Sequence, residues 1–231
     1  MIAATPGQGG AAWAILQYLL GLRRLGCEVH FAEPVRGGAV SDASASYCRR
    51  LMRDFGFDGR WALVPERGDP VGMTRSELRE VAGDAELLLN VSGMLTDVDV
   101  LERVPVRAFL DLDPAFVQLW HAAEGVDMGL DANTHFVTIA DSIGRSGSPI
   151  PDCGREWLPT LPPVVLDEWP FATEGSSREV TTVGHWRSYG SVHHDGVHYG
   201  QKAHSLRPLF DLPTRAPGRF ALALGIDQAE T

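Results

Sequence analysis

Cysteine is scarce in this sequence and is not arranged in pairs. The 231 residues include three cysteines, Cys27, Cys48 and Cys153, and no two of them form a Cys-x-x-Cys motif. Disulfide-framed secreted domains and zinc ribbons need sets of closely spaced cysteines. The sequence therefore argues against both classes and predicts a protein of the reducing cytoplasm.

Long apolar runs and an excess of basic charge are also missing. The longest apolar run lies around residues 18–22, and Gln17 and the Arg23-Arg24 pair keep it far short of a membrane span. The N-terminus lacks the basic segment of a secretory signal peptide. The net charge is −10, whereas a nucleic-acid surface would carry a basic stripe. We therefore predict no transmembrane segment and no nucleic-acid partner.

The sequence does contain a glycine-rich turn between hydrophobic elements near its start. Residues 1–4 predict the end of a strand, and the glycines after them permit a tight turn. Residues 11–25 predict a helix that is apolar on nearly every side, with Gly26 as its C-terminal cap. Residues 28–33 then alternate like a strand. This order is typical of the first unit of a doubly wound α/β domain.

Alternating strand and helix patterns continue along the chain. Apolar patterns predict strands at residues 61–64, 86–91, 106–112 and 135–140, and helices at residues 42–55, 74–81 and 115–120. Ser41 or Asp42, and the Thr74-x-x-Glu77 box, predict the starts of two of these helices. Continuous apolar strands of this kind occur in parallel sheets covered on both faces. Residues 1–168 therefore predict one Rossmann-like α/β domain with a mostly parallel sheet.

Proline marks the end of this domain. Six prolines between residues 149 and 170 predict an extended connection from about residue 148, followed by a loop at 171–178. Further patterns predict a second Rossmann-like domain over residues 178–231, with strands at 179–183 and 219–226, a turn at 184–190 and a helix at 199–210. Its core is too small to stand alone. We therefore expect a chain cut short, and a non-catalytic binding module is one hypothesis for its function.

The glycine turn also matches part of the dinucleotide-binding fingerprint. Gly7-x-Gly9-x-x-Ala12 is followed about 20 residues later by Glu33, the position of the ribose-binding acid in that motif. A second hypothesis is therefore an NAD(P)-dependent oxidoreductase that holds a pyrophosphate at the helix N-terminus. Pro6 inside the turn and the short strand before it depart from the motif.

The segment from Gly9 to Glu33 and six later blocks carry a family resemblance. The later blocks are residues 110–114, 118–120, 150–154, 157–164, 181–190 and 199–204. Together they resemble bacterial glycosyltransferases with the GT-B architecture, and the resemblance covers nearly the whole chain. It implies two Rossmann-like domains, an N-terminal one for an unknown acceptor and a C-terminal one for a nucleotide sugar. The nucleotide sugar would be the substrate, with no further cofactor.

Carboxylates follow the strand predicted at residues 106–112. Asp111 and Asp113 lie where α/β sheets place their sites, and glycosyl transfer needs a base or a charge-stabilising group beside the acceptor. His121, just after Trp120, is a further candidate base. In an alternative interpretation, Asp111 orders the turn and Asp113 caps the following helix.

Two glycine turns complete the predicted site. On the acceptor side, the loop would be shaped by Gly9 and Gly10, with Trp13 beside them. On the donor side, we predict that a diphosphate is held by the group Gly184, Trp186, Arg187 and Lys202. A glycine turn lets backbone N–H groups approach phosphate, and the two cations would neutralise it.

Histidines are concentrated between residues 185 and 204. His194 and His198 have the i, i+4 spacing of a helical metal site. Gly196 interrupts the helix that this spacing requires, and no third ligand is evident. We therefore predict no metal site.

Overall fold

A computed structural model describes residues 1–171, 179–187 and 190–226. The chain forms two compact units, the first comprising Met1–Gln118 and Asp127–Trp169, and the second comprising Leu119–Val126 and Pro170–Thr231. The sequence did not predict that residues 119–126 belong to the second unit. Residues 172–178 of the loop predicted at 171–178, residues 188–189 of the turn predicted at 184–190, and the last five residues lie outside the described ranges.

Helices and strands alternate through the first unit. In chain order the elements are α1 (Gly9–Arg24), β1 (Phe31–Val35), α2 (Asp42–Asp54), β2 (Trp61–Pro65), β3 (Val71–Gly72), α3 (Arg75–Asp84), β4 (Leu87–Val91), α4 (Val98–Leu101), β5 (Val106–Asp111), α5 (Phe116–Ala122), β6 (His135–Thr138) and β7 (Trp157–Pro159). Short 3-10 helices lie at Leu130–Ala132 and Leu166–Glu168. The chain passes from the first unit into the second within α5.

The strands of this unit form two sheets. One sheet has the order β4-β5-β6-β7 with every pair parallel, and the other has the order β1-β2-β3 with β1 and β2 parallel. Parallel strands need crossover connections, and helices supply them for all pairs except β6 and β7, which an irregular segment joins. The fold is therefore mixed α/β with a four-stranded parallel sheet flanked by helices, as predicted, and it is consistent with a Rossmann-like architecture.

Local sequence signals set several helix ends. Ser41 accepts a hydrogen bond from the Ser44 N–H at the start of α2, and Thr74 and Glu77 form a reciprocal capping box at the start of α3. After α1, Gly26 adopts φ 89° and its N–H donates to the Arg23 carbonyl. A side chain would disfavour that left-handed conformation. These three predictions are confirmed.

The strand predicted at residues 1–4 is wrong, because residues 2–7 form turns. The side chains of Ile2 and Ala3 are nonetheless buried. The fully buried carboxylate of Glu33 accepts hydrogen bonds from the Ala3 N–H at 3.0 Å and the Ala4 N–H at 3.1 Å. A side chain of β1 thus satisfies backbone donors that a sheet ladder would otherwise pair.

The proline-rich segment contains a strand that the sequence did not predict. Residues 157–159 form β7, which pairs with β6 at the edge of the parallel sheet. Pro159 is the last residue of the strand, a position at which the missing N–H is tolerated. Trp157 is buried and lies edge-on to Phe109 and Phe136, with ring centroids 5.9 and 5.5 Å apart.

A second part of the proline-rich segment packs along α1. The Val165 N–H donates to Oε1 of the buried Gln17, 148 residues earlier in the chain. The Trp169 ring lies 4.9 Å from the Trp13 ring, and Arg24 forms an ion pair with Asp167. The apolar face of α1 packs in the largest core cluster of the unit, with Phe31, Met52, Phe57, Trp61 and Leu63 among its members.

The second unit contains a parallel strand pair and a hairpin. Its further elements are β8 (Glu179–His185), β9 (Val192–His194), β10 (Val197–Tyr199), α6 (Lys202–Leu206), α7 (Leu212–Arg215) and β11 (Arg219–Gly225), with a 3-10 helix at Arg207–Leu209. Strands β8 and β11 are parallel, and β9 and β10 are antiparallel. The helix predicted over residues 199–210 is shorter than expected, because residue 199 belongs to β10. None of the helices in the described ranges has the length and apolar character that a membrane crossing requires.

The turn after β4 gives a test of this packing, because Gly93 is closely surrounded. A Cβ at Gly93 (φ 64°) would lie 2.3 Å from the Met128 carbonyl oxygen and 2.8 Å from the Phe109 ring, whereas one at Gly144 (φ 77°) would meet open space. Gly144→Ala should cost about 1–2 kcal/mol for the left-handed backbone alone. Gly93→Ala should cost at least about 2 kcal/mol more through overpacking. Urea unfolding of both variants measures the difference, and equal losses would contradict the packing described.

Candidate functional sites

The carboxylate of Asp111 is fully buried at the end of β5. Its Oδ2 accepts hydrogen bonds from Gln118 Nε2 at 2.8 Å and Thr138 Oγ1 at 2.9 Å. Its Oδ1 accepts one from the backbone N–H of Asp113 at 3.0 Å. Gln118 and Thr138 are also fully buried. Asp111 therefore joins the ends of the neighbouring strands β5 and β6 to the first turn of α5.

This network separates the roles of the two predicted carboxylates. Burial raises the pKa of Asp111, and the hydrogen bonds from Gln118, Thr138 and the Asp113 N–H oppose that rise. Both oxygens of Asp111 are occupied inside the protein, so its observed role is to order the turn. The carboxylate of Asp113 is partly buried and accepts no hydrogen bond and forms no ion pair within the described residues. Asp113 is therefore the better candidate for a base.

Two residues beside this network have strained backbones. Ser92, directly after β4, has φ 50°, and Ala115, after β5, has φ 75°. The Ser92 N–H donates to the Leu110 carbonyl at 2.9 Å, and the Ala115 N–H donates to Gln118 Oε1 at 2.8 Å. Such conformations cost about 1–3 kcal/mol each and cluster at binding and catalytic sites. The carboxyl ends of β4 and β5 are therefore the candidate site of the first unit, where parallel sheets bind ligands.

Three polar residues that shape this edge were missed in the sequence analysis. Gln118 and Thr138 hold Asp111, and Asn90 closes the loop after β4 by hydrogen bonds with the backbone N–H and carbonyl of Leu95, at 3.0 and 3.1 Å. The available signal was a polar residue inside an apolar run, as at Asn90 in Leu-Leu-Leu-Asn-Val. Buried polar side chains of this kind are almost always hydrogen-bonded.

The remaining acceptor-side and catalytic predictions lie on other elements than Asp113. Gly9 and Gly10 begin α1 and are exposed, with open space where a Cβ would lie. Trp13 packs between rings, with centroids 5.3 Å from Phe55 and 4.9 Å from Trp169. His121 belongs to residues 119–126 of the second unit, so the structure does not group it with Asp111 and Asp113. Its buried Nδ1 has no hydrogen-bond partner within the described ranges.

The dinucleotide fingerprint lacks two of its structural requirements. The motif needs a strand leading into the first glycine, and residues 2–7 form turns. It also needs an acid free to contact a ribose, and the Glu33 carboxylate accepts the Ala3 and Ala4 N–H groups instead. Both observations weigh against the oxidoreductase hypothesis.

In the second unit, the structure brings three of the four predicted donor-binding residues together at the end of β8. A Cβ at Gly184 would lie 3.3 Å from Nζ of Lys202, the only lysine of the chain. Trp186 is buried, and its carbonyl accepts the Ala203 N–H of α6 at 3.0 Å. Arg187, the fourth residue, is exposed directly after Trp186.

The indole of Trp186 is fixed between two side chains. It stacks on the Phe210 ring with centroids 5.6 Å apart, and the Arg207 guanidinium lies 5.4 Å from the indole centroid. Because the first turn of α6 is bonded to the end of β8, the exposed amine of Lys202 is held beside the Gly184 backbone. This arrangement places the Lys202 ammonium group directly beside the Gly184 backbone.

No protein-family model matches the chain, and neither does any curated protein or solved structure with which it was compared. The class that the structure defines is therefore a mixed α/β protein whose parallel strands end in polar loops. The resemblance to glycosyltransferases stays a prediction from the sequence.

The buried carboxylate gives a pH-dependent prediction. The pKa of Asp111 is raised in the folded protein. The stability contributed by its protonated form is therefore fully present below the unfolded pKa of about 3.9 and is lost as pH rises through the folded pKa. An Asn at this position cannot titrate. The free energy of unfolding of the wild type minus that of Asp111→Asn should therefore decrease between pH 4 and pH 7 in urea titrations.

Asp113→Asn is the matched control for this measurement. The Asp113 carboxylate accepts no hydrogen bond within the described residues, so at pH 7 its variant should stay within about 0.5 kcal/mol of the wild type. The raised pKa would be contradicted if the free energy of unfolding of the wild type, minus that of Asp111→Asn, increased with pH. A large loss for Asp113→Asn would show that this carboxylate also has a structural role.

Proposed function

We propose that the chain belongs to a glycosyltransferase that uses a nucleotide sugar as donor. In this proposal the second unit binds the diphosphate of the donor, and the first unit contributes the carboxylate of Asp113 to the acceptor side. The acceptor class is left open. The fold is compatible with the proposal, because each unit contains parallel strands, as in the two domains that the resemblance implies.

The observation that carries the proposal is the position of Lys202 beside Gly184. A diphosphate needs backbone N–H groups within reach and a compensating cation. At the end of β8 Gly184 has no side chain, and the Lys202 side chain lies in the space beside it, with Nζ 3.3 Å and Cδ 3.8 Å from the Cβ position. Arg187, exposed next to the buried Trp186, adds a second cation on the same segment.

On the acceptor side, Asp113 has the chemistry that glycosyl transfer requires. In an inverting reaction a carboxylate accepts the proton of the attacking hydroxyl group, and in a retaining reaction it stabilises positive charge on the sugar. The neighbouring Asp111 fixes the Asp113 backbone through the 3.0 Å hydrogen bond to its N–H. Asp113 is thereby held in place while its carboxylate stays available.

The single lysine permits a direct test of donor binding. Reductive methylation with carbon-13 formaldehyde labels Lys202 and the α-amino group of Met1 and keeps their charge. We expect the Lys202 methyl resonance to shift on titration with one of UDP, GDP or ADP and to saturate. The Met1 resonance should not move. Unlabelled protein at a ligand concentration of 100 Kd should gain about 2.7 kcal/mol of stability.

Lys202→Ala and Arg215→Ala form a matched pair for this titration. Each removes one exposed cation of the second unit, and Arg215 pairs with Asp211 at 3.0 Å. Thermal stabilisation by the nucleotide should be lost in Lys202→Ala and retained in Arg215→Ala. Equal responses of the two variants would overturn the assignment of Lys202. A response to NADH alone would favour the oxidoreductase, and no response to any nucleotide would favour a non-catalytic remnant.

The role of Asp113 is tested separately by turnover. With the donor identified by the titration, Asp113→Asn should lower transfer or hydrolysis of the nucleotide sugar by about 100-fold, because a positioned base contributes at least that factor. The Lys202 resonance should still shift, since binding does not depend on Asp113. Unchanged turnover in Asp113→Asn would remove this residue from the site.

A further inference from the structure

The hairpin of the second unit brings two histidines to one side. Strands β9 and β10 are joined by Asp195 and Gly196, with φ 48° and 77°, the left-handed conformations of a two-residue hairpin turn. The register pairs His193 with His198 directly. Because side chains alternate between the faces of a strand, His193 and His198 share a face that His194 does not.

The two imidazole rings approach each other closely. The distance from His198 Nδ1 to His193 Nε2 is 2.9 Å, and the ring centroids are 4.4 Å apart. Both side chains are exposed. The helix that the i, i+4 spacing of His194 and His198 would require is interrupted by Gly196. In the hairpin, His198 is paired with His193, and His194 is paired with Val197.

We propose that His193 Nε2 and His198 Nδ1 together bind one Cu²⁺ or Ni²⁺ ion. Imidazole nitrogens lie about 2.0–2.1 Å from such metals, so two nitrogens 2.9 Å apart subtend about 90° at the ion. That angle fits neighbouring positions of a square-planar or tetragonal site, the geometry of Cu²⁺ and Ni²⁺. A tetrahedral zinc ion would need the nitrogens farther apart.

Only these two side chains bind the ion directly. Within the described ranges, no group of three or more His, Cys, Asp or Glu residues is arranged to hold a metal, so water molecules complete the coordination. His204 lies next to the pair, with its ring centroid 5.1 Å from that of His198, and its Nδ1 accepts the Gln201 N–H at 2.9 Å. It supports His198 and does not contact the ion.

The hydrogen between the two rings does not block a metal ion, because it can move to another ring nitrogen. Without metal, one ring nitrogen donates its hydrogen to the other ring across the 2.9 Å contact. On binding, that hydrogen moves to the other nitrogen of the same neutral ring, and the rings turn so that both lone pairs are directed at an ion beside the N···N contact.

Copper binding to the full chain tests the proposal. Electron paramagnetic resonance at one equivalent of Cu²⁺ should show hyperfine coupling to two nitrogens, and calorimetry should give one site. His193→Gln and His198→Gln should each weaken binding about 100-fold, because the second ligand of a chelate binds intramolecularly. His194→Gln is the matched control on the opposite face and should keep the wild-type affinity.

Two results would overturn the inference. One is coupling to fewer than two nitrogens in the wild type, a measurement that needs no variant. The other is equal weakening in His193→Gln and His194→Gln while circular dichroism shows that both are folded. Since the readout involves no nucleotide, failure of this proposal is independent of the proposed function.

Discussion

The buried carboxylate of Asp111 is the constraint on which the candidate site of the first unit depends. An ionised group costs several kcal/mol to remove from water unless charged or polar partners surround it. Gln118, Thr138 and the Asp113 N–H supply those partners. The same Gln118 holds the N–H of Ala115 in a strained conformation. One desolvated group thus fixes the end of β5, the end of β6 and the entry into α5.

Much of the fold follows from signals that are complete within a few residues. The capping box of α3 needs only Thr74 and Glu77, three positions apart. The apolar runs of β4 and β5 predict parallel strands by themselves, and of the two only β5 is mainly buried. Residues 1–7 behave differently. Their turns depend on Glu33, about 30 residues later in the chain. No local pattern encodes such a partner, so a strand was predicted there.

The β9–β10 hairpin was missed for another reason. Its Asp195-Gly196 turn is a strong local signal for a hairpin. From the sequence, Gly196 served only as an argument against a helical pair of His194 and His198. The strands are only three residues long, too short for a pattern of period two to stand out. Here the turn residues carried more information than the side-chain spacing.

The candidate site was predictable in residue type and only partly in role. The position after β5 indicated Asp111 and Asp113 together, because both follow an apolar strand. Which carboxylate is enclosed depends on Gln118 and Thr138, and Thr138 comes from a different strand. In the second unit, Gly184 and Lys202 were proposed jointly from the sequence. Their proximity arises from the hydrogen bond between α6 and the end of β8, a tertiary contact.

The contact between α1 and residues 165–169 has a consequence for the order in which the protein is made. The backbone partner of Gln17, the Val165 N–H, is synthesised 148 residues later, and Trp169 is likewise synthesised long after Trp13. Chains emerge from the ribosome at about 5–20 residues per second. The apolar face of α1 is therefore without this covering for roughly 7–30 s during translation. Over that interval, the nascent chain presents the surface that chaperones recognise.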